Sequence, residues 1–361
     1  MKTLKGEVAI NASESRSVGT LPSLQVKGSA VRSTESEKGS RIVALDMTKG
    51  VLVVFMIIYH SLNYTTQYYL AFRYMAFLPP SFILIVGFLL SNVYSVRYDV
   101  SDLRLHQRLT GRGVKLILLF TLLNIAALIS RGQPVRNLEL FFGHLPEIYV
   151  AGAGRFAAFE ILLPIAYLLV LAPVLLLIDR IHRATLPLTA VSFFGTCVLL
   201  DASGVSSLNL NMLGAGVLGM LLGRFPLAKL DLLRRFWPIP LLLYFSLFAA
   251  DSASGHTYAL QVMSACAVLA LIYGLSAKFD TPSWPQQRLL RLGHYSLVSY
   301  IFQIAVLQVL VRLFGRPEPW SVEFFVLLFG TLVLMTVLVE CVEWARTRSS
   351  GVQTFYKAVF A

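Results

Sequence analysis

The chain has 361 residues, 56% of them hydrophobic and only 14% charged. A soluble domain carries roughly 45–50% apolar and 25% charged residues, so this composition excludes an ordinary water-soluble globule and describes an integral membrane protein. The formal net charge of +12 lies mostly in short connections between apolar runs, the pattern of cytoplasmic loops and not of a nucleic-acid-binding face.

Residues 1–40 are rich in Ser, Gly and Lys and lack an apolar run long enough for a signal-peptide core, so they are expected to form a disordered cytoplasmic tail. About ten apolar runs of helical length follow, at 42–62, 74–96, 113–129, 156–178, 186–200, 208–222, 237–250, 258–277, 295–314 and 322–342. The expected fold is therefore all-α: a polytopic membrane domain over 41–345, then a short cytoplasmic segment over 346–361. With a cytoplasmic tail, the inner connections hold Arg97, Arg104, Arg108, Arg112 and Lys115, then Arg180 and Arg183, and further basic groups at each later inner turn. The outer connections hold only Arg73, Arg131, Arg136 and Arg316, roughly one basic residue for every four inside. This bias predicts both termini in the cytoplasm and a multi-pass protein of a bacterial inner membrane.

The first apolar run carries Arg41, Asp46, Lys49 and His60. Each charged group placed at mid-membrane costs about 2.5–3.5 kcal/mol on insertion scales. At about 100° per residue, Asp46, Lys49, Val53, Met56 and His60 share one helix face, directed at protein or a water-filled cavity. Asp46 and Lys49, three residues apart, can pair; the pair is either a neutralising device or part of a site. A histidine in a partly wet cavity can act as a general base near neutral pH.

The connection over 130–154 contains Phe141, Phe142, His144, Glu147 and Tyr149, and reads either as a lid or as an amphipathic surface loop. Arg155 and Glu160 stand at the entry to the fourth run, as an ion pair or as contacts to an acceptor. The late segment supplies His294, which reads as a helix-start residue, with Tyr295, Ser296, Tyr300, Gln303, Gln308 and Arg312; His106 and His182 fall in loops. Cys197, Cys266 and Cys341 lie inside apolar runs without a CxxC pair and read as buried small hydrophobes. No HExxH, P-loop or Gly-rich dinucleotide loop is present, so no metal is expected.

The first helix resembles the opening signature of the type-three membrane acyltransferase family, through Arg41, Leu45-Asp46, Lys49-Gly50 and His60. Lys49 stands where that family usually has Arg; it keeps the cation but not the planar bidentate fork. Pro79, Pro80, Phe82 and Gly87-Phe88-Leu89 are similar to the family's second segment, and the stretch from Gly293 to Gln303 resembles the periplasmic glucan succinyltransferase branch. The resemblance implies a membrane O-acyltransferase using acetyl- or succinyl-CoA as donor. It implies His60 and Asp46 as catalytic groups, Arg41 and Lys49 toward the donor's phosphates, and Arg155 and Glu160 toward a glycan or glycolipid acceptor. Membrane lipid is the surrounding partner, nucleic acid is not expected, and self-association stays open. The competing reading is a proton-coupled glycan or small-anion transporter with Asp46 and His60 as its relay; no internal repeat is evident to support it.

Overall fold

The computed structural model describes residues 43–65, 73–94, 102–130, 134–152, 157–205, 207–230, 232–255, 257–279, 283–318 and 320–360. The expected tail over 1–40, together with Arg41 and Arg155, lies outside the described residues. Within them the chain is helical, without a strand. The longer helices are α1 (Val43–Thr65), α2 (Leu78–Leu89), α3 (Leu103–Ile129), α4 (Pro134–Gly143), α5 (Leu162–Ile181), α6 (Thr185–Ala202) and α7 (Leu208–Leu222). They continue with α8 (Pro238–Ser254), α9 (Tyr258–Ser276), α10 (Trp284–His294), α11 (Ser296–Phe314), α12 (Val322–Arg348) and α13 (Ser350–Phe360).

Every apolar run expected from the sequence is met by a helix. Seven of these helices are long and apolar enough to cross a membrane, namely α1, α3, α5, α6, α9, α11 and α12. The protein is thus a multi-pass, all-helical membrane protein. α2 and α7 are shorter apolar helices, and α8 has 17 residues with Asp251 buried near its end.

Local chemistry sets the boundaries. Asp102 caps α3, its Oδ1 accepting the Arg104 N–H at 2.9 Å. The helix therefore begins ten residues before its apolar run, so Arg104, His106, Arg108, Arg112 and Lys115 ride on it and not in a loop. Ser207 and Ser321 cap α7 and α12 in the same way. Ser283 and Gln286 form a capping box that starts α10, an amphipathic helix not foreseen from the sequence. His294 ends this helix instead of beginning the next. The connection after α3 folds into α4, with Phe141 fully buried and Phe142 exposed, followed by one π-helical turn, Glu147–Ala151. Of the cysteines only Cys197 is fully buried; Cys341, on the outward side of α12, is exposed.

The helices meet through glycine. A Cβ on Gly50 would come within 2.0 Å of the Leu289 carbonyl oxygen, and one on Gly293 within 1.8 Å of the Asp46 carbonyl oxygen. α1 and α10 therefore touch backbone to backbone. Gly219 on α7 and Gly223 just after it do the same against α2, where a Cβ on Gly219 would lie 2.3 Å from the Leu84 oxygen, and a Cβ on Gly87 of α2 would lie 2.0 Å from the Gly216 oxygen. In lipid, where apolar burial gives little drive for association, such small-residue seams supply the van der Waals contact that holds helices together.

Gly219→Val is expected to separate α7 from α2, at a cost at or above the usual overpacking range of about 1–3 kcal/mol. A thermal melt of the detergent-solubilised protein should show a clearly lowered midpoint, whereas Gly330→Ala, whose Cβ meets nothing within 4 Å, should leave it in place.

Candidate functional site

A cavity of about 580 Å³ lies between the C-terminal part of α1, the starts of α2, α5 and α7, and α11. α1 contributes Met56, Tyr59, His60, Asn63 and Tyr64. These occupy positions i, i+3, i+4, i+7 and i+8, so one stripe of the helix faces the space. Glu160 enters from the turn before α5, Tyr300 from α11, and Arg316 from the connection after α11.

His60 is the centre of the site. Its Nε2 is buried and has no hydrogen-bond partner among the described residues. The ring sits edge-on to Tyr59 with centroids 5.4 Å apart, and is tilted at 48° to Tyr300 at 6.3 Å. Leaving a buried polar atom unsatisfied costs about 1–3 kcal/mol. An imidazole nitrogen held bare in a cavity is therefore poised for a water or a ligand.

Glu160 is positioned from a distance. Asn124, buried on α3, donates through Nδ2 to the Ala158 carbonyl at 3.0 Å and accepts the Ala158 N–H at 2.6 Å. This two-way clamp fixes the backbone just before Phe159, which takes the left-handed conformation with φ 60°. Only the surroundings can hold a non-glycine residue there, at a cost of about 1–3 kcal/mol. The Phe159 ring is buried edge-on against Tyr300, with centroids 5.9 Å apart. The next residue delivers its carboxyl group to the cavity.

A second space of about 490 Å³ shares Tyr64 and Arg316 with the first and adds Gln308 and Arg312. Arg312 is fixed by donation from Nη2 to the Ser130 carbonyl oxygen at 2.9 Å and hydroxyl at 3.2 Å. The two spaces together offer an imidazole, a carboxyl group, phenols, amides and guanidinium groups, a set suited to a ligand bearing many hydroxyls.

The expected site residues divide into two places. His60 and Glu160 share the cavity. Asp46 and Lys49 lie elsewhere on α1, joined by an ion pair of 2.7 Å, with both side chains largely buried. Fourteen residues at 1.5 Å each put Asp46 roughly 20 Å along the axis from His60, and it does not line the cavity. Tyr59, Asn63 and Asn124 escaped the sequence reading. The first two continue the helical stripe through His60, and Asn124 is the lone amide in the apolar run 113–129, so each left a signal.

Fold and cavity together define a class: a multi-pass helical membrane protein with a chamber of mixed polar and apolar lining, built around a histidine whose Nε2 has no hydrogen-bond partner among the described residues. No protein-family model, no curated protein and no solved structure matches the chain.

Asn124→Leu should lower stability by about 1–3 kcal/mol through loss of the Ala158 clamp. In a Cys341→Ala background, a cysteine placed at position 160 should then react faster with a soluble maleimide than it does with Asn124 intact.

Proposed function

We propose that this protein transfers an acyl group from cytoplasmic acyl-CoA, acetyl- or succinyl-CoA, to a hydroxyl of an envelope or extracellular glycan. The observation that carries this reading is the bare Nε2 of His60 in a chamber shared with Glu160 and Tyr300. As general base, Nε2 takes the acceptor hydroxyl proton while the hydroxyl oxygen attacks the thioester carbonyl. The C–S bond then breaks, and His60 returns the proton to the departing thiolate. Phenol or amide donors in the chamber are available to the oxyanion formed between the two events. Glu160 and Asn63 are assigned to acceptor hydroxyls.

The ten helices at the ten apolar runs each count as a span in this reading, with both termini in the cytoplasm of a bacterial inner membrane. The ends of α1, α2, α5 and α7 that line the chamber then all lie outward, where a glycan is met. Asp46 and Lys49 lie toward the cytoplasm, where Lys49, with Arg41, is assigned to the donor's phosphates. Asp46 keeps Lys49 in place through its ion pair, a positioning role in place of the catalytic one first expected.

Purified protein in lipid should release thiol from acetyl- or succinyl-CoA when extracted envelope glycans are supplied. His60→Ala should cut that turnover by about 10²- to 10⁴-fold, the usual worth of a positioned base, with an unchanged thermal midpoint. Turnover indifferent to His60, or none with any donor, would move the assignment to transport. Lys49→Gln is expected to raise the KM for acyl-CoA with little change in kcat; an unchanged KM would remove Lys49 from the donor's path.

A further inference from the structure

A groove of about 920 Å³ runs between α10 and α12, on the outward side of α1. Its wall on α12 extends from Leu332 through Thr336 and Glu340 to Trp344. Twelve residues at 1.5 Å give about 18 Å, close to the depth of one hydrocarbon leaflet, about half of 30 Å. The groove is open to whatever surrounds the bundle: Trp284 and Trp344, at one end, are 68% and 58% exposed.

Its two ends differ in chemistry. Toward Leu332 the lining is apolar, and the Thr336 hydroxyl is occupied by donation to the Leu332 carbonyl at 2.9 Å. At the tryptophan end, Arg288 and Arg291 both bind the single carboxylate of Glu340. Arg288 also lies over the Trp284 ring at 5.0 Å, and Arg348 over the Trp344 ring at 4.7 Å. Two guanidinium groups on one carboxylate leave a net positive charge, framed by the aromatic rings typical of a membrane–water interface. In the orientation proposed above, this end faces the cytoplasm, where basic pockets between helices meet anionic head groups.

We infer that the groove binds one anionic glycerophospholipid, with its phosphate at Arg288 and Arg291 and an acyl chain along α12 toward Leu332. The occupant is chosen by the match of length, the charge at one end and the dry lining at the other. The site stands whether or not the chamber around His60 transfers acyl groups.

Native mass spectrometry of the purified full-length protein tests this, with phosphatidylglycerol or phosphatidylethanolamine of identical chains added to delipidated samples. Phosphatidylglycerol should be retained about five-fold more strongly, the preference that one basic residue near the head group confers. Arg288→Gln leaves the Arg291–Glu340 pair neutral and should abolish the preference; Val337→Trp fills the groove and should weaken both lipids. Equal retention of the two lipids by the unaltered protein, or one pattern across all three proteins, would overturn the site. Displacement by soluble glycerol phosphate as effective as by the lipid would also overturn it, by showing a free-anion site. A readout without substitutions comes from tryptophan fluorescence, since Trp284 and Trp344 are two of only four tryptophans. Phosphatidylglycerol with brominated chains should quench more than brominated phosphatidylethanolamine, and equal quenching would count against the lipid.

Discussion

The contact on which the rest of the molecule depends is the meeting of Gly50 and Gly293. Neither position has room for even a methyl group, since the opposing carbonyls lie about where a Cβ would have to go. Because α10 presses directly on α1, the junction at Tyr295 delivers α11 alongside α1 and brings Tyr300 to His60. The same contact fixes one wall of the outer groove, because Arg288, Leu289 and Leu292 belong to the helix that Gly293 anchors. A glycine–glycine contact gives no hydrogen bond and buries almost no side chain. Its value is geometric: it sets the distance at which all the neighbouring side chains operate.

Around that frame, much of the polar chemistry serves the scaffold. Asn124 and Asn209 spend their amides on backbone carbonyls of the segments leading into α5. The Tyr149 hydroxyl meets Thr121, and the Tyr149 carbonyl accepts from Tyr167. At the opposite end of the chain's last long helix, Tyr295 is held between Glu343 and Arg346, whose guanidinium also covers Tyr356 and so ties α13 to the bundle. Each of these bonds holds a segment of the scaffold in place, although Asn209 Oδ1 and Arg346 Nε have no partner among the described residues. His60 differs in facing a cavity, surrounded by rings that shape the space without occupying its Nε2.

Much of the architecture was legible in the sequence because lipid is an undemanding reader. A run of twenty apolar residues in a bilayer can only close its hydrogen bonds as a helix, and all the expected runs are helices. The amphipathic elements α4, α10 and α13 were not, since eleven or so residues of mixed character resemble loop until a capping box such as Ser283 with Gln286 is recognised. Half of the site was legible too. His60 and Glu160 stood out because ionisable groups in apolar surroundings are costly, and both line the chamber. In the sequence Lys49 already reads as lying toward the donor's phosphates, and only Asp46 is placed beside His60 on the shared face. A face, however, is a direction and not a place, and 14 residues of rise separate Asp46 from His60. Asn124 acts through the backbone of residue 158, a relation of sequence separation 34 that no periodicity encodes.

The ion pair on α1 bears on how the chain is made. α1 is the earliest of the described helices to be synthesised, yet the groups that enclose His60 come from 157–164, 208–212 and 300–316. At about 5–20 residues per second, the last of them emerges tens of seconds after α1 itself. Throughout that interval α1 must tolerate lipid without its final neighbours. Asp46 and Lys49 neutralise each other within a single turn and need nothing made later. The helix that will stand at the centre of the bundle thus carries its charges in a form that can be inserted first and enclosed afterwards.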